Sequence, residues 1–177
     1  QFCIDMMKSA EMKYSFAISA GNSAMVQMED YLNFLIDDSN TKVIALYLEG
    51  VKNPHKFEAC LQKAMEKKKP VVILKAGRSP KGQATAASHT GSMAGSDKTY
   101  DAVFEKFGVI RADDMQDLRS TASLLATLRV LPKKPAFSAM CLSGGETAVS
   151  ADTGFLHGAQ SRLHDPPVGD AVPVTDT

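Results

Sequence analysis

The sequence predicts an α/β fold, a doubly wound parallel sheet with helices on both faces. Apolar runs at 42–48 and 70–74 are nearly uninterrupted, which is typical of strands buried on both sides. Segments with helical spacing of apolar residues lie between such runs. Because strands that alternate with helices of about 10–15 residues form parallel sheets, right-handed crossovers are expected.

The elements of the first half follow from the apolar pattern and its start and stop signals. They are a helix end at 1–13, a strand at 14–19, an amphipathic helix at 25–37 and the strand at 42–48. Asn53 and Pro54 then predict a helix start, because Asn caps helices and Pro suits their first position. The lysines at 67–69 would end that helix, where its dipole favours cations.

The second half of the chain continues the alternation. Its elements are the strand at 70–74, a helix at 97–107, a strand at 109–111, a helix at 113–128, a strand at 136–142 and a helix from Thr147. Beyond Gly158 the pattern decays into a turn-rich tail, which we expect to be poorly ordered or to lack its packing partner. About five strands in ~130 residues fit the flavodoxin-like version of the doubly wound fold.

The linker-like sequence at 133–135 separates two predicted units. We expect the end of a preceding helix at 1–13, a flavodoxin-like domain at 14–132 and the start of a second, truncated α/β unit at 133–177. The sequence has no initiator methionine, and we expect it to be a fragment.

Composition and charge argue against several classes of protein. Twenty Lys and Arg residues balance 20 Asp and Glu residues, which gives no electrostatic basis for binding nucleic acid or an anionic membrane. No apolar run approaches the ~20 residues that span a bilayer, and the first residues lack the pattern of a signal peptide. Cys3, Cys60 and Cys141 have no metal-ligand spacing, so we expect reduced thiols and a cytoplasmic location.

The candidate chemistry gathers at the carboxyl edge of the predicted sheet, where such folds bind ligands. Glu49 follows the strand at 42–48, and a loop of small residues around His89 follows the strand at 70–74. A carboxylate that holds an imidazole fixes its tautomer and makes it a better nucleophile. Such a histidine can accept a phosphoryl group, which backbone amides and helix N-termini would stabilise.

Two short segments could bind that phosphoryl group. Thr90, Gly91 and Ser92 offer unhindered amides and hydroxyls beside the histidine, while Gly144 and Gly145 precede a predicted helix.

No residue cluster predicts a metal site. Neither a Gly-x-Ser-x-Gly elbow nor a Walker-type Gly-x-x-x-x-Gly-Lys is present.

Each of these residues also has a plainer interpretation. His89 could be a solvated loop residue, and Glu49 could be a helix cap or a surface charge. The glycine pair at 144–145 could form a generic tight turn. The residues alone leave these alternatives open.

Three segments resemble the nucleoside-diphosphate-forming (ADP-forming) acyl-CoA synthetases, relatives of the succinyl-CoA synthetase α subunit. They are LYLEG at 46–50, PVVILKAGR at 70–78 and SHTGSMAG at 88–95, and the resemblance runs from about Tyr14 to Leu118. In that family the histidine of the SHTG box is phosphorylated and passes the group between acyl phosphate and nucleoside diphosphate. The resemblance implies this role for His89, and implies that Glu49 holds the histidine.

LSGG at 142–145 resembles the start of the next domain of the family. There a Gly-Gly helix terminus helps to hold the phosphohistidine, a role thereby implied for Gly144 and Gly145. The resemblance also implies CoA, ATP or ADP, and Mg²⁺ as cofactors. These would bind to CoA-binding and ATP-grasp domains elsewhere in the chain or in a partner subunit of an oligomer.

The implied activity is that of an acid–thiol ligase that makes acyl-CoA from a carboxylate, CoA and ATP. We expect the fragment to be inactive alone. One alternative is a non-catalytic regulatory domain, similar to a CoA synthetase, within a protein lysine acetyltransferase. Another is a plain interaction domain without affinity for phosphate.

Overall fold

A computed structural model of the chain describes residues 13–21, 25–82, 96–128 and 136–158, together with the backbone of 160–164. The chain divides into two compact units, 1–128 and 129–177. Within the described ranges, no helix is both long enough and apolar enough to cross a membrane.

The first unit contains a parallel sheet. Its elements with both ends in the described ranges are α1 (Met28–Asp37), β1 (Ile44–Leu48), α2 (Pro54–Glu66), β2 (Val71–Lys75), α3 (Asp97–Phe107), β3 (Ile110–Ala112) and α4 (Met115–Thr127). The strands are ordered β1-β2-β3, and both neighbouring pairs are parallel. Leu48 pairs with Lys75 and Leu74 pairs with Ala112, so the carboxyl ends of the strands lie at one edge.

The sheet is covered on both faces, which confirms the doubly wound, flavodoxin-like fold class. Every residue of β2 is buried. Val71 and Ile73 belong to a core cluster with residues of α1, α2 and α3, whereas Val72 and Leu74 pack with Leu118 of α4. The near-continuous apolar run of this strand follows from burial on both faces.

Capping residues set the helix boundaries, and those of α2 agree with the predicted start signal. The Asn53 side chain accepts a hydrogen bond of 3.0 Å from the Lys56 amide, and Pro54 occupies the first position of α2. Ser96 caps α3 by accepting from the Thr99 amide at 3.2 Å. Gly108 ends α3 with φ 64°, in the left-handed region that favours glycine.

The strand predicted at 14–19 is wrong, because this segment forms no strand in the structure. Phe16 packs edge-on against Phe34 of α1, with 5.3 Å between ring centroids. The Ser15 and Thr41 hydroxyls are 2.9 Å apart. Phe16, one of the apolar side chains that suggested a strand, therefore contacts a helix, and the described part of the first unit has three strands.

The second unit contains β4 (Ala136–Met140), α5 (Gly144–Leu156) and β5 (Gln160–His164). Its helix begins three residues before the predicted Thr147. The expectation of a poorly ordered tail after Gly158 is wrong for β5, which pairs in parallel with β4. Backbone pairing makes this strand, although its sequence QSRLH has no apolar alternation. Residues 165–177 lie outside the described ranges.

Candidate functional site

Glu49 lies at the carboxyl end of β1, beside the end of β2. The Ala76 amide donates to the Leu48 carbonyl at 2.9 Å, which extends the pairing of the two strands by one residue. Glu49 is half-buried and follows Leu48 directly. The carboxylate singled out from the sequence thus belongs to the edge at which α/β sheets bind ligands.

The other first-unit residues of the predicted site lie outside the described ranges. These are His89, Thr90, Gly91 and Ser92. Their roles, and the pairing of His89 with Glu49, stay predictions.

Lys75 is a buried cation at this edge that the sequence interpretation missed. Only 2% of the residue is exposed. Its Nζ donates to the Glu49 carbonyl at 3.0 Å and to the Ala76 carbonyl, and it lies 4.8 Å from the centroid of the Tyr100 ring. Burial lowers the pKa of Lys75, and the nearby Asp97 and Glu49 carboxylates oppose that shift.

The backbone that follows Glu49 is held at two further points. The Tyr100 hydroxyl hydrogen-bonds with the backbone of Val51, although burial is the larger influence and raises the pKa of Tyr100. The Asn53 amide donates at 3.1 Å to Oε1 of Glu29, a residue of α1 that is 1% exposed. Groups from β2, α3 and α1 therefore fix the segment that carries Glu49.

Charged side chains form a second cluster at the same edge. Nη2 of Arg111 is 2.6 Å from Oδ1 of Asp97, and Arg111 also pairs with Asp101. Nη1 of Arg78 is 2.7 Å from Oδ1 of Asp113, and its Nε is 3.9 Å from Oδ2 of Asp97. Since Arg78 follows β2 and Asp97 begins α3, the cluster joins the two ends of the connection between these elements.

Two glycines lie in the connection after β2. Gly77 has φ 75°, which favours glycine. A Cβ added at Gly82 would be 3.1 Å from the Gly77 Cα and 3.2 Å from the Ser79 Oγ. Residues 80–82 are helical, and the Gly82 amide donates to the Ser79 Oγ at 3.1 Å, so a helical turn begins shortly after β2.

Gly144 and Gly145 form the start of α5 in the second unit, and both are exposed. The Ser143 side chain accepts from the Glu146 amide at 3.3 Å, and Oε2 of Glu146 accepts from the Leu142 amide at 2.9 Å. A Cβ at Gly144 would meet nothing within 4 Å. This N-terminus is open, but the Glu146 carboxylate already lies against its positive end.

Cys60 and Cys141 are buried free thiols, and Cys3 lies outside the described ranges. Among the described residues, no group of three or more His, Cys, Asp or Glu side chains could hold a metal ion.

The residues that hold Glu49 left only weak signals in the sequence. Lys75 ends an otherwise apolar strand, which is an unusual place for a charge, since lysine is almost never fully buried unless it is paired. Tyr100 is recognisable only as one of several apolar residues along α3. Glu29 lies in the first turn of a helix, where acidic residues are common for reasons of the dipole alone.

Sequence comparison identifies relatives that are named as ADP-forming acetate–CoA ligases. The α subunit of ADP-forming acetate–CoA ligase I from Pyrococcus furiosus is 46% identical over 114 residues, which are 64% of this chain and 24% of that protein. ADP-forming acetate–CoA ligase I from Archaeoglobus fulgidus is 40% identical over 139 residues, 78% of this chain and 20% of that protein. The chain thus spans a quarter or less of the length of these curated relatives.

A solved structure agrees with these matches. It is described as a dinucleotide-forming acetyl-coenzyme A synthetase 1 from Ca. Korarchaeum cryptofilum in complex with phosphate and ADP. The TM-score is 0.70 at 32% identity, over 85% of this chain and 32% of the other. Residues 1–125 match the family described as the succinyl-CoA ligase like flavodoxin domain. With a parallel sheet, helices on both faces and this match over most of its length, the chain belongs to the succinyl-CoA-ligase-like flavodoxin domain family.

Proposed function

We propose that this chain is the phosphohistidine-carrying part of an ADP-forming acyl-CoA synthetase, an acid–thiol ligase that uses a carboxylate, CoA and ATP. The observation that carries the proposal is the position of Glu49 beside the end of β2. The chain leaves β2 at this point and continues toward His89. The names of the ADP-forming relatives support the same reaction.

In the proposed reaction, an imidazole nitrogen of His89 attacks the γ-phosphorus of ATP. The N–P bond forms as the bond to ADP breaks. The carboxylate substrate then attacks this phosphorus, which gives an acyl phosphate and frees His89. The CoA thiol, on losing its proton, attacks the acyl carbon, and inorganic phosphate leaves as acyl-CoA forms.

In this scheme Glu49 orients the imidazole and stabilises its positive charge, as the third group of a nucleophile–base arrangement does. Thr90, Gly91 and Ser92 would donate hydrogen bonds to the phosphoryl oxygens. Gly144 and Gly145 would contribute the amides of a helix N-terminus. Catalysis would then consist of positioning and electrostatic stabilisation, as phosphoryl transfer generally requires.

Other parts of the ligase would supply the remaining substrates. We propose that 14–132 is the phosphohistidine domain and that 133–177 begins a second α/β domain. CoA-binding and ATP-grasp domains, in the same chain or in a partner subunit of an oligomer, would hold CoA and the nucleotide with its Mg²⁺. We propose a cytoplasmic location, where these substrates occur. The relatives reported above are ligases or synthetases, which gives the acetyltransferase alternative no support.

The test is to incubate the complete ligase with γ-labelled ATP and to measure label on the protein that is acid-labile and base-stable. His89→Ala should abolish this label, and Glu49→Gln should slow its appearance. His55→Ala is the matched control, because His55 is exposed on α2 and has no role in the proposal. Undiminished label in His89→Ala would rule out the carrier role.

A further inference from the structure

We infer that Lys75 is a positioning residue for Glu49, and that its buried ammonium group fixes the main chain from which the Glu49 carboxylate extends. The functional part of this inference rests on the role proposed for Glu49. Its structural part rests on contacts between described residues.

The Lys75 ammonium joins the ends of two neighbouring strands. It donates to the carbonyl of Glu49, which follows β1, and to the carbonyl of Ala76, which follows β2. The Tyr100 ring lies over the same ammonium, and the Tyr100 hydroxyl hydrogen-bonds with the Val51 backbone. The Glu49 carbonyl and the Val51 backbone are therefore both held by the Lys75–Tyr100 pair.

Stability alone is a weak reason for a charge at this position. A buried ammonium loses its hydration, and an apolar side chain of similar volume is often as stable or more stable. The four preceding residues of β2 are apolar, so the strand itself has no need of a cation. An apolar residue, however, could not donate hydrogen bonds to the two carbonyls at the strand ends.

Lys69 provides an internal comparison at the opposite edge of the sheet. Its Nζ donates to the Asp38 carbonyl at 2.7 Å and to the Thr41 carbonyl, both near the start of β1. Lys69 is only half-buried, whereas Lys75 is enclosed. Both lysines hold main-chain carbonyls, but only Lys75 does so beside a candidate catalytic side chain.

The experiment compares Lys75→Met with Lys69→Met in the complete ligase. We expect Lys75→Met to slow phosphohistidine labelling by about tenfold to a hundredfold at saturating ATP, because a small misplacement of a positioned group costs that much. The KM for ATP should not change, since no nucleotide contact is altered. Lys69→Met should label at the wild-type rate. Amide hydrogen exchange at 49–51 should accelerate in Lys75→Met alone.

The outcomes separate this inference from the proposed function. Wild-type labelling kinetics in folded Lys75→Met would overturn the positioning role. If the wild-type ligase does not label, the proposed function fails, and the exchange rate at 49–51 still decides whether Lys75 holds the Glu49 backbone. If Lys75→Met does not fold, Lys75→Gln replaces it, because its amide nitrogen lies one atom closer to Cα than the lysine Nζ and should not donate to both carbonyls. Slow labelling in folded Lys75→Gln supports the inference, and the wild-type rate overturns it.

Discussion

Arg111 and Asp97 form a short ion pair, with 2.6 Å between Nη2 and Oδ1, that joins β3 to the first turn of α3. The Arg111 side chain is 13% exposed and the Asp97 side chain 25% exposed, so water screens this pair only in part. Nε of Arg111 is buried without a hydrogen-bond partner among the described residues. The guanidinium therefore depends on its carboxylates, and Asp97 is the less exposed of the two.

Loss of the Asp97 charge should destabilise the first unit. We expect Asp97→Asn to lower the free energy of unfolding by about 1–2 kcal/mol, between the values typical of exposed and buried pairs. Asp101 is the matched control, because it pairs with the same guanidinium but its side chain is 57% exposed. In urea unfolding, Asp101→Asn should lower the free energy of unfolding clearly less than Asp97→Asn does. Equal losses in the two variants would contradict this prediction.

The packing of α4 against the second face of the sheet makes Leu118 a sensitive position. Leu118 is fully buried and packs with Val72 and Leu74 of β2. We expect Leu118→Ala to lower the free energy of unfolding by about 2–5 kcal/mol, as for other buried leucines. Leu124 of the same helix is 58% exposed, so Leu124→Ala should change it by less than about 1 kcal/mol. Denaturant unfolding of the two variants measures this difference.

Asp37 should titrate well below an ordinary aspartate. Hydrogen bonds from Lys63 and, to a smaller extent, from Lys67 lower its pKa to about 2. Because the pKa is lower in the folded state, the stabilisation is present above about pH 4 and is lost as the pH falls toward 2. Carboxyl chemical shifts followed by NMR should give this midpoint, and Lys63→Met should raise it more than Lys67→Met. A midpoint at the ordinary aspartate value would show that the two lysines do not hold the carboxylate in solution.

The sequence predicted those parts of the fold that depend on local signals and burial on both faces. Asn53 with Pro54 located the start of α2, because capping chemistry is local. The run ending at Leu74 predicted β2 because a central strand has no solvent face. The prediction of a strand at 14–19 and of a poorly ordered segment at 160–164 was wrong. A strand forms only where a second strand is available for backbone pairing, and a local sequence pattern does not show where that partner lies.

The candidate site was predictable only in part, for a similar reason. Parallel pairing places Glu49 at the carboxyl edge without any knowledge of side-chain contacts. The contacts of Lys75 with the Glu49 carbonyl, and of Glu29 with the Asn53 amide, join residues more than 20 positions apart. Such contacts depend on how helices and strands pack, and residue type alone does not reveal them.

The β1–α2–β2 motif occupies one uninterrupted stretch of chain, and its two strands are immediate neighbours in the sheet. Few residues must be ordered to bring these strands together, so loop closure costs little entropy here. We expect this β1–α2–β2 motif to form the folding nucleus, onto which α3, β3 and α4 then pack. Substitutions that shorten a core side chain of this motif would then slow folding. Similar substitutions in α4, where it packs against the sheet, would mainly speed unfolding. The edge that presents Glu49 would be assembled before the rest of the sheet is complete.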